Sequence, residues 1–441
     1  MKHVIGFLAL FLALAGCSSS SQVDQPVIIA NSRILWSKCF GGSSYEKGYS
    51  ISQTSDSGFI AAGSSISKDG DVSGNRGVYD DWIVKFDKSG TLEWQKNFGG
   101  SQYDEAFGII QTSDGGYVAA GYSLSHDGNI TKNNGGLDYW IMKIDKTGAL
   151  QWQKSLGGVS DEAANSIIET TDGFLAAGYS RSMGGDVSAH HGTADSTDAW
   201  IVKLDKSGNF VWDRSFGGNG TDAANSIQKT SDGGFVIGGY SNSLDGDVSG
   251  NHGGYDCWIV KVDNSGVIEW QRSLGGSLDD VAASIDPSAD GGYVIAGWSY
   301  SNDGNVSGHH GNSAKKDAWI VKTDDHGFLL WKKTLGGADD DLLSSIKNTT
   351  DGGFIVTGSS KSNDGDAAGN HGGLDYWVVK CSSTGDIQWQ ESMGGSNDDN
   401  GAEVLQTFDG SYVVCGKSNS NDGEVSGNHG NSDFWIVKLK Q

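Results

Sequence analysis

The chain holds 441 residues with a net charge of −24, 31 basic side chains standing against 55 acidic ones. Acidity on that scale repels phosphate backbones and excludes nucleic acid as a partner, while cations and basic protein surfaces stay compatible. Sixty-eight glycines, two prolines and 36% hydrophobic residues exclude collagen-like and disordered chains and point to short strands, tight turns and a sizeable core.

In chain order, residues 1–16 read as targeting rather than folding. Lys2 and His3 precede an apolar run over 4–15, too short to span a bilayer, and Leu14-Ala15-Gly16-Cys17 closes it with small residues before a cysteine. The pattern resembles a bacterial lipoprotein signal. That resemblance implies removal of 1–16, acylation of Cys17 (palmitate among the chains), a polar tether over 17–32 and a folded part over 33–441. No later apolar stretch is long enough to cross a membrane as a helix, so lipid alone is expected to hold the protein to the membrane. Ser18 in place of an aspartate favours an outer-membrane address, on the periplasmic side or the cell surface. Cys39, Cys257, Cys381 and Cys415 show no paired spacing and read as small buried apolar residues.

Tryptophan then recurs on a near-fixed beat. Trp36, Trp94, Trp152, Trp212, Trp270, Trp331 and Trp389 lie 58 to 61 residues apart, a second set from Trp82 to Trp435 keeps the same spacing, and only Trp298 falls outside. Seven copies of one unit follow. In the fourth, strand-like runs cover 226–230, 234–240, 257–262 and 267–273, with Asp232-Gly233-Gly234 and Asp263-Asn264-Ser265-Gly266 as hairpin turns. The expected fold is all-β, a seven-bladed β-propeller of four-stranded antiparallel blades. Residues 34–40 match a fourth strand and 434–440 a third, so the N-terminal strand is expected to close the last blade.

The hairpin motif Asp205-x-x-Gly208-x-x-x-Trp212 resembles propellers of the pyrroloquinoline quinone type. The whole unit is similar to repeats in secreted and surface bacterial and archaeal proteins. The resemblance implies a fold and no activity, since the charged loops do not match a quinone site. Tryptophans present in every blade read as packing between blades.

Strand order puts the blade-to-blade link and the second-to-third loop on one face. The link carries an acid at one equivalent position, Glu46, Asp104, Glu162, Asp222, Asp280, Asp341 and Asp399, just before each innermost strand. These seven are expected to ring the mouth of the central channel, either as a cation-attracting funnel or as acceptors of backbone N–H groups in their own turns. In the second-to-third loops, Asp69 and Asp71, Asp245 and Asp247, and Asp364 and Asp366 flank a glycine as ligands of a calcium turn do. No EF-hand glutamate completes them, and Asx-type turns account for the same spacing. His191, His252, His310, His371 and His429 occupy matching loop positions, one per blade. They are too dispersed to share a transition metal and are expected to make local hydrogen bonds, in loose resemblance to the structural tetrad of tryptophan-aspartate repeat propellers. Departures from the repeat point to an asymmetric ligand: the longer loops of blades three and five, and Trp298 with Tyr300, whose rings suit a sugar or peptide.

No nucleophile elbow, phosphate loop or His-Glu-x-x-His is present. The expected function is a monomeric ligand-binding or protein-interaction scaffold acting through its acidic loop face. A glycan or protein is the expected partner, calcium the candidate cofactor, and lipid the link to the membrane. The alternatives are a glycan hydrolase or lyase using the channel-mouth carboxylates and an outer-membrane assembly scaffold, the latter resting on resemblance to the propeller lipoprotein of barrel assembly.

Overall fold

The computed structural model describes residues 33–441, and the expectations for the signal, Cys17 and the tether lie outside them. Within this range, 28 strands form seven antiparallel sheets of four. Six blades use four consecutive strands each. The seventh joins Asp399–Gln406, Tyr412–Ser418 and Asp433–Leu439 to the N-terminal strand Ile34–Phe40, which runs antiparallel from Ile34 opposite Leu439 to Phe40 opposite Phe434. The ring closes as expected, and the outer edge of Asp433–Leu439 is thereby paired.

Burial follows strand position. Second and third strands such as Asp256–Val262 are covered on both faces, which is why they read as near-continuous apolar runs. Outer strands such as Ile268–Leu274 are only partly covered over most of their length, with Glu269 exposed and Ser273 and Leu274 buried. In blade 4 the inner strand is Asp222–Lys229, beginning at Asp222 rather than at 226. The cause is a β-bulge: Ala224 pairs with Gly239 and Ser226 with Gly238, leaving Asn225 unpaired and breaking the alternation by which a strand is recognised.

The core is divided into seven clusters, each built from two neighbouring blades. Trp200 of blade 3 packs with Tyr139 and Ile141 of blade 2, and Trp82 of blade 1 meets Phe434 of blade 7 with ring centroids 6.0 Å apart. All seven third-strand tryptophans are buried at such contacts, where truncation to alanine costs about 3–5 kcal/mol.

The hairpin face is pinned by a repeated ion pair. Thr230 Oγ1 and Gly234 N donate to Asp232 Oδ1, while the buried Lys261 reaches Asp232 Oδ2 with Nζ at 2.9 Å. Equivalent pairs join Lys85 to Asp56, Lys143 to Asp114, Lys203 to Asp172, Lys322 to Asp290, Lys380 to Asp351 and Lys438 to Asp409. A partner for each ammonium is what lets a lysine sit inside a sheet.

Candidate functional site

The seven link acids stand at the height of the channel mouth but do not line it. Glu46, Asp104, Glu162, Asp222, Asp280, Asp341 and Asp399 are all 0% exposed. Asp104 Oδ2 accepts Gly100 N at 2.8 Å and Ser125 Oγ at 2.8 Å, and Oδ1 accepts Ser123 Oγ. Glu46 accepts Gly42 N at 2.8 Å and Ser65 Oγ at 2.6 Å. The glycine donor recurs in every blade, from Gly158, Gly218, Gly276, Gly337 and Gly395. Of the two roles open from the sequence, the acids take that of turn acceptors: each accepts a backbone N–H of its own link, and hydroxyls at the end of the second strand and in the loop after it, such as Ser123 and Ser125, add to the cap.

A second acid opens each third strand and closes over the same link. A Cβ on Gly99 would stand 2.7 Å from Asp104 Oδ2 and 2.9 Å from Asp80 Oδ1, so only glycine fits between the two carboxyls. The same crowding places Asp138 and Glu162 over Gly157, Asp256 and Asp280 over Gly275, and Asp433 and Glu46 over Gly41. Burial, reinforced by the facing acid, pushes Asp80, Asp280 and Asp433 up to about 6 and Asp138 to about 7, against the hydrogen bonds they accept.

The loop histidines are held by these third-strand acids. Nδ1 lies 2.8 Å from Asp198 Oδ2 for His191, 2.6 Å from Asp256 for His252 and 2.9 Å from Asp317 for His310. His371 and His429 approach Asp375 and Asp433 at 2.6 Å. In each case the histidine's own backbone N–H donates to the same oxygen, so ring and loop are fixed together. Burial opposes the charge on His371, but its bond to Asp375 and the field of Glu424 outweigh it and raise its pKa.

The aspartates of the second-to-third loops also meet backbone. Asp69 accepts Ser43 N at 2.7 Å, Asp245 accepts Asn219 N at 2.7 Å and Asp364 accepts Ala338 N at 2.8 Å. Asp71 and Asp247 receive the weaker Gly41 and Gly217 N–H groups at 3.3 Å, while Asp366 uses its own N–H to bond Gly336 O at 2.8 Å. Among the described residues, ligand atoms of three or more His, Cys, Asp or Glu side chains converge within 4.8 Å only at Asp324, Asp325 and His326, on the opposite face of blade 5.

Asymmetry enters inside the strands, at the residue before the serine that ends each second strand. This position holds Ser64, Tyr122, Tyr179, Tyr240, Trp298, Ser359 and Lys417, paired across to Lys47, Glu105, Ala163, Ala223, Val281, Leu342 and Asn400 of the inner strands. Four consecutive blades thus present aromatic rings and three present serine or lysine. Trp298 belongs to this arc, with Tyr300 at 5.5 Å between centroids and Lys316 Nζ 4.1 Å above its ring.

On the other side of the ring, Lys47, Tyr49, Phe107, Leu342, Asn400 and Lys417 line a cavity of about 480 Å³ at the channel mouth. Its wall is organised by the buried Glu105, which accepts Tyr49 Oη at 2.7 Å, Lys47 Nζ at 3.3 Å and Ser64 Oγ at 3.3 Å. Tyr49 meets Phe107 edge-on at 4.9 Å, and Phe107 lies 5.5 Å from Tyr122. The channel itself holds a further cavity of about 240 Å³, lined in every blade by the bulge residue: Tyr49, Phe107, Asn165, Asn225, Ala283, Ser344 and Ala402. Of this strand column, Trp298 is the residue that the sequence singles out, and its neighbour Tyr300 lines a separate groove with Leu278 and Asp279. The signal for the others was a column that varies while its neighbours repeat.

No protein-family model matches the chain. Among curated proteins it is similar to Regulatory protein FlaEY of Caulobacter vibrioides, 25% identical over 413 residues, which take in 82% of this chain and 43% of that protein. The chain therefore spans less than half the length of that relative. Among solved structures it is similar to the WD40 β-propeller domain of Doa1, at 12% identity and a TM-score of 0.49, covering 90% of this chain and 95% of that one. A protein of unknown function from Dyadobacter fermentans shares 11% identity over 93% of this chain and 100% of that one, with a TM-score of 0.46.

Proposed function

We propose that the protein is a lipid-anchored, extracytoplasmic binding module that presents the link face of its propeller to a glycan or protein partner. The observation that carries this reading is the break in sevenfold symmetry at the mouth. The arc Tyr122, Tyr179, Tyr240 and Trp298 opposes Ser359, Lys417 and Ser64 on a ring whose interior otherwise repeats. A partner without sevenfold symmetry needs such a surface, and rings beside polar groups supply both stacking area and orientation. The anchor is supported by the resemblance of residues 1–17 to a lipoprotein signal. The name of the Caulobacter relative, a regulatory protein, accords with work done by binding. The hydrolase alternative loses its geometric basis, because the seven carboxylates it would use are buried and bonded.

The test is a glycan and peptide array probed with the wild-type chain and with Trp298→Ala, each with and without calcium. The expected outcome is a defined set of wild-type hits that weaken at least about tenfold in the variant. An array without hits in either condition contradicts the reading, and hits that appear only with calcium make the ion part of the binding surface.

A further inference from the structure

We infer that the cavity at the channel mouth is a receptor site for an organic anion, a carboxylate or phosphate on an apolar body, with Lys417 as its counter-ion. The inference rests on the link face being a binding surface and names the chemistry of one ligand there.

Lys417 is half-buried at the end of the second strand of blade 7. Each of the seven buried third-strand lysines has an aspartate against it. Lys417, in a chain of net charge −24, has neither ion pair nor hydrogen bond to its ammonium among the described residues. Its cross-strand neighbour Asn400 accepts a long bond from Ser359 Oγ at 3.4 Å through Oδ1, leaving the amide N–H groups unspent. Lysine and amide together therefore offer donors without acceptors.

The acid at the mouth does not fill this gap, since Glu105 already receives Tyr49, Lys47 and Ser64. The same cavity is lined by the apolar side chains of Tyr49, Phe107 and Leu342. A volume of about 480 Å³ lies within the range of small-molecule sites. An anion on an apolar body satisfies both walls, whereas a neutral ligand leaves the lysine desolvated and unpaired. Specificity should accordingly follow charge first and apolar shape second.

The experiment is titration calorimetry of the full chain with phenylacetate, phenyl phosphate and uncharged phenylacetamide, repeated on Lys417→Gln and Lys417→Arg, with a thermal melt of each variant as a check on folding. The expected result is saturable binding of at least one anion, with the amide at least about tenfold weaker. Lys417→Gln should lose a similar factor and Lys417→Arg should keep most of the affinity. The better of the two anions identifies the headgroup class. The inference is overturned if no probe binds, if phenylacetamide binds as well as the anions, or if Lys417→Gln changes nothing. Array partners that bind the wild type and are lost in Trp298→Ala, with no anion bound, would sink this inference and leave the binding reading standing.

Discussion

Asp138 and Glu162 share one glycine step, and that crowding has a measurable consequence. In the folded protein Asp138 is pushed up to about 7, and Asp80, Asp280 and Asp433 to about 6, whereas a free aspartate titrates near 3.9. Between those values the folded chain holds protons that the unfolded chain releases. The stabilisation is full below about pH 4 and is lost as pH rises through about 6 to 7. His371, with its raised pKa, acts in the same direction. On the hairpin face, partial burial opposes the charge on Asp114, but bonds from Thr112, Gly116 and Lys143 hold it at about 2. Thr230 and Lys261 likewise hold Asp232 at about 2, and those contributions vanish as pH falls from about 4 toward 2. The melting temperature should therefore peak near pH 4 to 5 and fall toward pH 8, with a shallower fall in Asp138→Asn. A melting temperature that rises from pH 5 to 8 contradicts this account. At this scale the repetition of the acids and their role as acceptors in their own turns were legible in the sequence, while the serine donors were not. Spacing pairs Asp104 with its link, but only the folded blade brings Ser123 and Ser125 Oγ onto it.

Strands and turns were legible wherever alternation or a turn motif was unbroken. In blade 4 the second, third and outer strands, Phe235–Ser241, Asp256–Val262 and Ile268–Leu274, lie within a residue of their expected bounds at each end. The inner strand starts four residues before its sequence pattern does, because the bulge at Asn225 interrupts the alternation. The same bulge aims one side chain per blade into the channel, so the feature that hid the strand also builds the lumen. The N-terminal strand offers the clearest test of an element. It supplies the fourth strand of blade 7, and Trp36 packs against the cluster that joins blades 7 and 1. Deleting residues 33–40 should lower the unfolding midpoint by more than about 10 °C and promote self-association through the exposed strand Asp433–Leu439. Thermal melts with size-exclusion chromatography check both effects. An unchanged midpoint in a monomeric variant contradicts the closure.

For the whole molecule, seven interfaces built alike close a ring, and sevenfold repetition consumes the residues that first attract attention. The tryptophan beat made blade count and closure legible. Trp298 stood out by breaking the beat, but repetition concealed the rest of the site: Tyr122, Tyr179, Tyr240, Ser359, Lys417 and Ser64 lie in strands, in a column flanked by repeating residues, whereas long loops stand out at once. The central claim is a division of labour in which repeated acids hold the fold and the irregular mouth binds. It is tested most directly by measuring, in parallel, the affinity for the strongest array partner and the melting temperature of Trp298→Ala and Asp341→Asn. The prediction is that Trp298→Ala loses at least about tenfold in affinity with its melting temperature within about 3 °C of wild type, while Asp341→Asn shifts the melting temperature and, where folded, keeps its affinity. Folded Asp341→Asn that no longer binds, beside Trp298→Ala that still does, would contradict it.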